Sequence, residues 1–201
     1  MGEVEFQAVI DFWFGSEACL GKIIESKSSL WWGKSVDSDS EIKQRFESLL
    51  LRFSKDELNH WKQSKHGWLA LIVLSDQFSR NIYRDSARAF AFDEKALALC
   101  LEGIAKGIDT RLNPLQRVFF YLPLEHAESM PMQERSVSLQ KQLLESVDAS
   151  LKGAFQGFYN YALAHRQVIE KFGRYPHRNA LLDRQSTEEE LRYLAQPGAG
   201  F

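Results

Sequence analysis

Two short stretches hold most of the side chains able to do chemistry. "SDQFSRNIYR" supplies Asp76, Gln77, Arg80 and Arg84, and "FGRYPHRN" supplies Arg174, His177, Arg178 and Asn179 around Gly173 and Pro176. A guanidinium is a planar fork of donors that suits a carboxylate or a phosphate. An imidazole changes charge near neutral pH and suits acid–base work. The pattern therefore reads as a pocket for an anionic small molecule. Gln77, Arg80, Arg84, His126, Arg174, Arg178 and Asn179 are the candidate binding groups. Asp76, His165 and His177 are the candidates for orienting the ligand or moving its protons.

Each of these residues also has a purely structural reading. Asp76 and Arg80 stand four apart and can meet on one helix face as an internal ion pair. His165 interrupts an apolar stripe, where a histidine often serves as a satisfied core residue. The "FGRYPHRN" side chains can cap helix carbonyls or pair with Asp93 or Asp183. In "LPLEHAE", Glu125 and Glu128 share a helix face and His126 points elsewhere. That segment lacks the HExxH arrangement, and the histidines show no metal-ligand spacing, so no metal is assigned. There is no nucleophile motif, phosphate-cradling glycine loop or dinucleotide fingerprint, which leaves the cofactor unknown.

Helices must position these groups. Ile42, Phe46, Leu49, Leu50 and Phe53 recur at helical spacing behind the cap-like "DSDS". Phe92, Ala96, Leu97, Cys100, Leu101 and Ile104 repeat the pattern before Gly107. Leu139, Leu143, Leu144, Val147 and Leu151 make a third stripe, and Phe158, Ala162, His165, Ile169 and Phe172 a fourth. "WLALIVL" is apolar all round, the mark of a central buried helix, and Asp76, Gln77 and Arg80 continue it. Asn113 with Pro114 reads as an N-cap and first helical position. Ser186 with Glu189, or Thr187 with Glu190, offers a capping box for a last short helix. Pro123 is expected to kink or restart its helix. Gly173 falls where a C-cap belongs, and Pro176 stiffens the corner after it. Gly15 to Lys34 reads as the most irregular stretch, docked onto the body by Trp31 and Trp32.

The composition narrows the class. A net charge of −2 argues against a generic nucleic-acid binder, which carries a basic excess. Cys19 and Cys100 are far apart, so a disulfide framework is not indicated and Cys100 reads as a small core residue. "GWLALIVL" is too short to span a bilayer, and the acidic start does not read as a secretory signal. The expectation is a cytoplasmic protein whose partner is neither nucleic acid nor membrane, its oligomeric state unknown. The absence of strand alternation makes it all-α, a single helical domain over residues 1–201.

Several segments carry a family resemblance: "VIDFWFG", "WWGKSVDSDSEIKQRF", "LALIVLSDQFSRNIYRDSARAFAFD", "FFYLPLEHAES" and "AHRQVIEKFGRYPHRNALLDRQSTEEELRYL". In this order, over nearly the whole chain, they resemble the family known as domain of unknown function 924. One departure is Ser79 in "FSRN", where the family pattern has Pro. The resemblance implies a single-domain α-α superhelix of antiparallel hairpins, tetratricopeptide-like without regular repeats. It implies no catalytic assignment. Two functions follow as expectations. One is a polar pocket for an anionic small molecule, with hydrolysis or transfer as the chemistry. The alternative is a tetratricopeptide-like interaction module whose groove takes a peptide or protein.

Overall fold

The structure, a computed structural model, describes residues 2–200, and no strand occurs among them. Local capping signals explain several helix starts. Ser35 caps α3 (Val36–Ser54) by accepting from the Ser38 N–H, and Asp37 and Asp39 in the first turn favour the positive end of the helix dipole. Asn113 and Gln116 close a capping box on α7 (Pro114–Glu125), and Thr187 and Glu190 close another on α10 (Glu188–Leu194). The Ser186 alternative is not used. Gly173 ends α9 (Lys152–Phe172) at φ 68°, a left-handed conformation that costs glycine least, and its N–H reaches Ile169 O at 2.8 Å.

Hydrophobic faces then decide the packing. The first helix, α1 (Gly2–Phe14), lies against the central rod, which begins at α4 (Lys65–Ile72), and α2 (Leu20–Trp32) packs on α1. That rod continues through a π-helical segment, Val73–Phe78, into α5 (Ser79–Ile82). Every residue from Gly67 to Phe78 is buried, as a rod apolar all round requires. The helix α6 (Asp93–Ala105) crosses close to α7, because Gly103 has no Cβ; one would sit 2.5 Å from the Phe120 ring. Next, α8 (Met130–Ser146) packs between α7 and α9. One contiguous apolar core links these elements from Phe6 to Phe155. A smaller cluster of Val168, Ile169 and Tyr175 seats Tyr193 of α10 on the end of α9.

Three expectations change. Residues 20–32 are helical rather than irregular, because Ile23 and Trp31 are buried while Lys22, Glu25, Ser26 and Ser29 face solvent. The tryptophan pair does dock: Trp31 Nε1 donates to Trp13 O at 2.9 Å, and the Trp32 ring stacks on Phe119. Pro123 does not restart its helix, since the His126 N–H bonds across it to Leu122 O at 2.9 Å. The third stripe overruns its helix, because α8 ends at Ser146 and leaves Val147 and Leu151 in the turn before α9.

Candidate functional site

Asp76 sits in the π-helical segment with no exposure to solvent. A carboxylate there requires partners, because an unpaired buried charge is costly. It has them: Gln77 Nε2 donates to Oδ2 at 2.6 Å and His126 Nδ1 to Oδ1 at 2.8 Å, with Arg80 Nη1 3.6 Å away. Burial alone would raise the Asp76 pKa. The His126 imidazole, the Arg80 guanidinium and these hydrogen bonds more than offset it and hold the carboxyl well below its usual range. An ionised Asp76 can only accept, so His126 carries its proton on Nδ1 and keeps the lone pair on Nε2. Burial pushes the His126 pKa below that of ordinary imidazole, outweighing the upward pull of Asp76. The result is a neutral imidazole oriented by a carboxylate, an arrangement suited to general-base work.

A second carboxylate organises the guanidinium groups. Arg80 grips Asp93 with both terminal nitrogens, at 2.8 and 2.9 Å, and donates from Nη1 to Asp76 O at 2.7 Å. Arg178 reaches the same carboxylate from the "FGRYPHRN" corner, Nη1 to Oδ2 at 3.3 Å. Its guanidinium lies between the rings of Phe90 and Tyr175, 4.7 and 4.5 Å from their centroids. Only 6% of Arg178 is exposed, and its buried Nε–H has no acceptor among the described residues. Burial, and then the neighbouring Arg80, lower its pKa from the ordinary guanidinium value. Arg84 is held separately by Asp39 of α3, which accepts from its Nε and Nη2 and also from Asn81.

These groups surround one cavity of about 560 Å³, walled among others by Arg80, Arg84, His126, His165, His177 and Arg178. His165 comes from α9. Its Nδ1 donates to Tyr161 O at 2.9 Å and lies 3.3 Å from Glu125 Oε1. Burial, with His126 nearby, pushes the His165 pKa down to about 3. Burial and the Arg178 charge push His177 down to about 4. All three imidazoles are therefore neutral at pH 7. Burial also raises Glu125 to about 8, so it faces His165 as a protonated acid.

The two stretches singled out by their chemistry thus meet, His126 and His165 join them at the cavity, and four of the candidates do not line it. Asp76 lies behind the cavity wall and acts on it through His126. Gln77 is spent on Asp76. Arg174 turns away: its Nε and Nη2 clasp Glu190 at 2.7 and 2.8 Å, and Nη2 also donates to Gln185 O. Asn179 is buried against Ser186, Glu190 and Arg184. The reason lies in the corner. The turn Pro176–Arg178 aims His177 and Arg178 at the cavity, while its flanking residues brace α10. Glu125 and Glu128 also part, because α7 ends at Glu125. Glu128 pairs instead with Arg184 and the Tyr175 N–H.

Several residues of the wall carried no clear sequence signal. Phe90, Lys34 and Gly198–Gly200 line the cavity but belong to common turn or aromatic patterns. Asp39 was legible only as part of a helix start. Among the described residues no group of three or more His, Cys, Asp or Glu side chains is arranged to hold a metal ion. Nor is any helix there long and apolar enough to cross a membrane.

An all-helical protein with a buried arginine–histidine cavity is the class that the fold and the site define. The chain belongs to the family described as bacterial protein of unknown function (DUF924), whose profile matches residues 9–198. Its fold is similar to the solved structure of a protein of unknown function from Agrobacterium tumefaciens. The two are 31% identical with a TM-score of 0.82, over 97% of this chain and 99% of that one. No curated protein matches the chain.

Proposed function

We propose that the cavity binds a small molecule through a phosphate or carboxylate group, and that His126, oriented by Asp76, serves as the proton acceptor in a hydrolysis or transfer reaction. The observation carrying this reading is Arg178. It is a buried guanidinium that shares one carboxylate with Arg80, leaves its Nε–H unpaired and lines the cavity. An incoming anion would accept from that N–H and pair with the Arg178 guanidinium, whose only carboxylate is the one it shares with Arg80. Among the described residues, the cavity wall includes no serine, threonine or cysteine. The nucleophile would then be a water or a hydroxyl of the substrate, activated by the Nε2 lone pair of His126.

An interaction module would present apolar anchors along a groove. The exposed large apolar side chains are instead spread over α1, α2, α3, α9 and α10, with Trp32 and Tyr161 the one stacked pair among them. This distribution supports the pocket reading. The test is a thermal-shift and calorimetric screen with inorganic phosphate, phosphorylated metabolites and dicarboxylates. At least one anion is expected to raise the Tm in a saturable way. Arg178→Ala is expected to abolish the response, and Arg178→Lys, which keeps the charge but loses the fork, to weaken binding about tenfold. Arg178→Ala responding like the parent protein would sink the proposal.

A further inference from the structure

A second cavity, of about 240 Å³, has the opposite character. Val118, Leu122, Ala154 and Phe158 wall it, and the rings of Trp32 and Tyr161 stand at it with planes 25° apart and centroids 6.4 Å apart. Trp32 is 47% exposed and Tyr161 58%, unusual for large aromatics that flank a cavity. Two polar side chains interrupt this apolar wall, Glu125 from α7 and Gln140 from α8. Gln140 is only 1% exposed, and neither its Nε2 nor its Oε1 has a hydrogen-bond partner among the described residues. A buried carboxamide with both ends unmet is costly, and each such group in a native fold calls for an explanation.

We propose that this cavity is a binding site for an uncharged planar ring carrying an adjacent donor and acceptor, such as a carboxamide or a lactam. A carboxamide is self-complementary to that pattern: Gln140 Oε1 accepts the ligand N–H while Gln140 Nε2 donates to the ligand carbonyl. The volume sets the size. It exceeds the ~150 Å³ of an apolar cavity that holds benzene and falls short of the ~300 Å³ where drug-sized pockets begin. One ring with a substituent, or a small fused pair, fits. The aromatic walls suit a flat face, and a ring lodged there removes part of Trp32 and Tyr161 from water. Glu125 is the one carboxyl group on the wall. As a protonated acid it adds a donor without adding charge, which disfavours an anionic occupant less than a carboxylate would but offers it no counter-charge.

The site is separate from the cationic cavity in chemistry and adjacent to it in space. Glu125, on this wall, lies 3.3 Å from His165, which lines the other. The proposal does not depend on what the first cavity binds.

The experiment uses the full chain with benzamide and 2-pyridone as probes, and toluene and benzoate as controls, read by titration calorimetry and ligand-observed NMR. The amide-bearing rings are expected to bind at least tenfold more tightly than either control. Gln140→Met keeps the volume and removes the unmet polar atoms. It is expected to equalise benzamide and toluene while leaving the unliganded Tm unchanged or higher. A lowered Tm in Gln140→Met would mean that the carboxamide is satisfied within the fold, and would overturn the proposal. Benzamide binding no better than toluene to the parent protein would also overturn it. Gly157→Leu provides a second check, since a Cβ there meets nothing within 4 Å and the variant should fold. Its side chain at the cavity wall is expected to block both probes, and undiminished benzamide binding would place the probe elsewhere and overturn the assignment.

Discussion

Arg178 and Asp93 stand 85 positions apart in the chain, and the fold brings Nη1 of one within 3.3 Å of Oδ2 of the other. Arg80 already holds that carboxylate in a two-bond grip. One acid thus joins the central rod to the corner after α9, and the cavity lies where they meet.

Removing that acid should show how much it carries. Asp93→Asn leaves two guanidiniums close together with half their compensation gone. Breaking a buried pair in this way is expected to cost on the order of 3 kcal/mol, toward the low end because Asp93 remains partly exposed. Urea denaturation measures it. Inorganic phosphate at millimolar concentration should restore part of the loss in the variant, since a bound anion replaces the missing charge.

Arg174 and Arg178 should behave differently despite their proximity in sequence. Arg174→Ala releases Glu190 and the start of α10, so it is expected to lower the Tm without changing anion binding. Arg178→Ala should remove anion binding. Equal loss of binding in both variants would contradict the separation of the two side chains described above.

Glu125 should tilt the pH dependence of stability. Its pKa is raised in the fold to about 8, so the protonated form is the one the fold stabilises. That contribution is complete below the unfolded carboxyl value of ~4.3 and is lost as pH rises toward 8. Glu125→Gln has no proton to lose. Its stability relative to the parent protein is expected to improve from pH 4 to pH 8, by at most about 1.4 kcal/mol per pH unit. His165 and His177 act in the opposite sense. Their folded values, about 3 and about 4, lie below the unfolded imidazole value. The unfolded chain therefore takes up protons that the fold refuses, and both proteins should lose stability as pH falls below ~6.5. Parallel melting curves across pH 4–8 would contradict the Glu125 assignment.

Anion binding should take up protons. His126 and His177 line the cavity as neutral imidazoles, and a negative charge beside them raises their pKa values. Calorimetry at pH 6 in buffers of different ionisation enthalpy is expected to show net proton uptake with phosphate as the ligand. A zero slope against buffer enthalpy would count against an anion seated next to the imidazoles.

Much of the architecture was legible because its causes are local. Asn113 before Pro114, Thr187 before Glu190 and Gly173 after Phe172 mark helix ends through bonds to residues a few positions away. The "SDQFSRNIYR" and "FGRYPHRN" stretches stood out because polar groups appeared where the pattern called for apolar ones. One misreading has a tertiary cause. Residues 20–32 look irregular until α1 and α7 supply the surface that buries Trp31, and that surface is remote in sequence.

The sequence by itself determined the helical class, the caps at Asn113, Thr187 and Gly173, the stiff corner and the residue types at the candidate site. These follow from backbone bonding within a few residues and from the spacing of apolar side chains. Only the tertiary structure decided which polar groups share a space. It set Arg178 toward Asp93 and Arg174 toward Glu190, paired His126 with Asp76 across 50 positions, and left Gln140 unmet beside an apolar cavity. Burial and charge compensation depend on neighbours brought from far along the chain, and a side chain's chemistry follows from those neighbours.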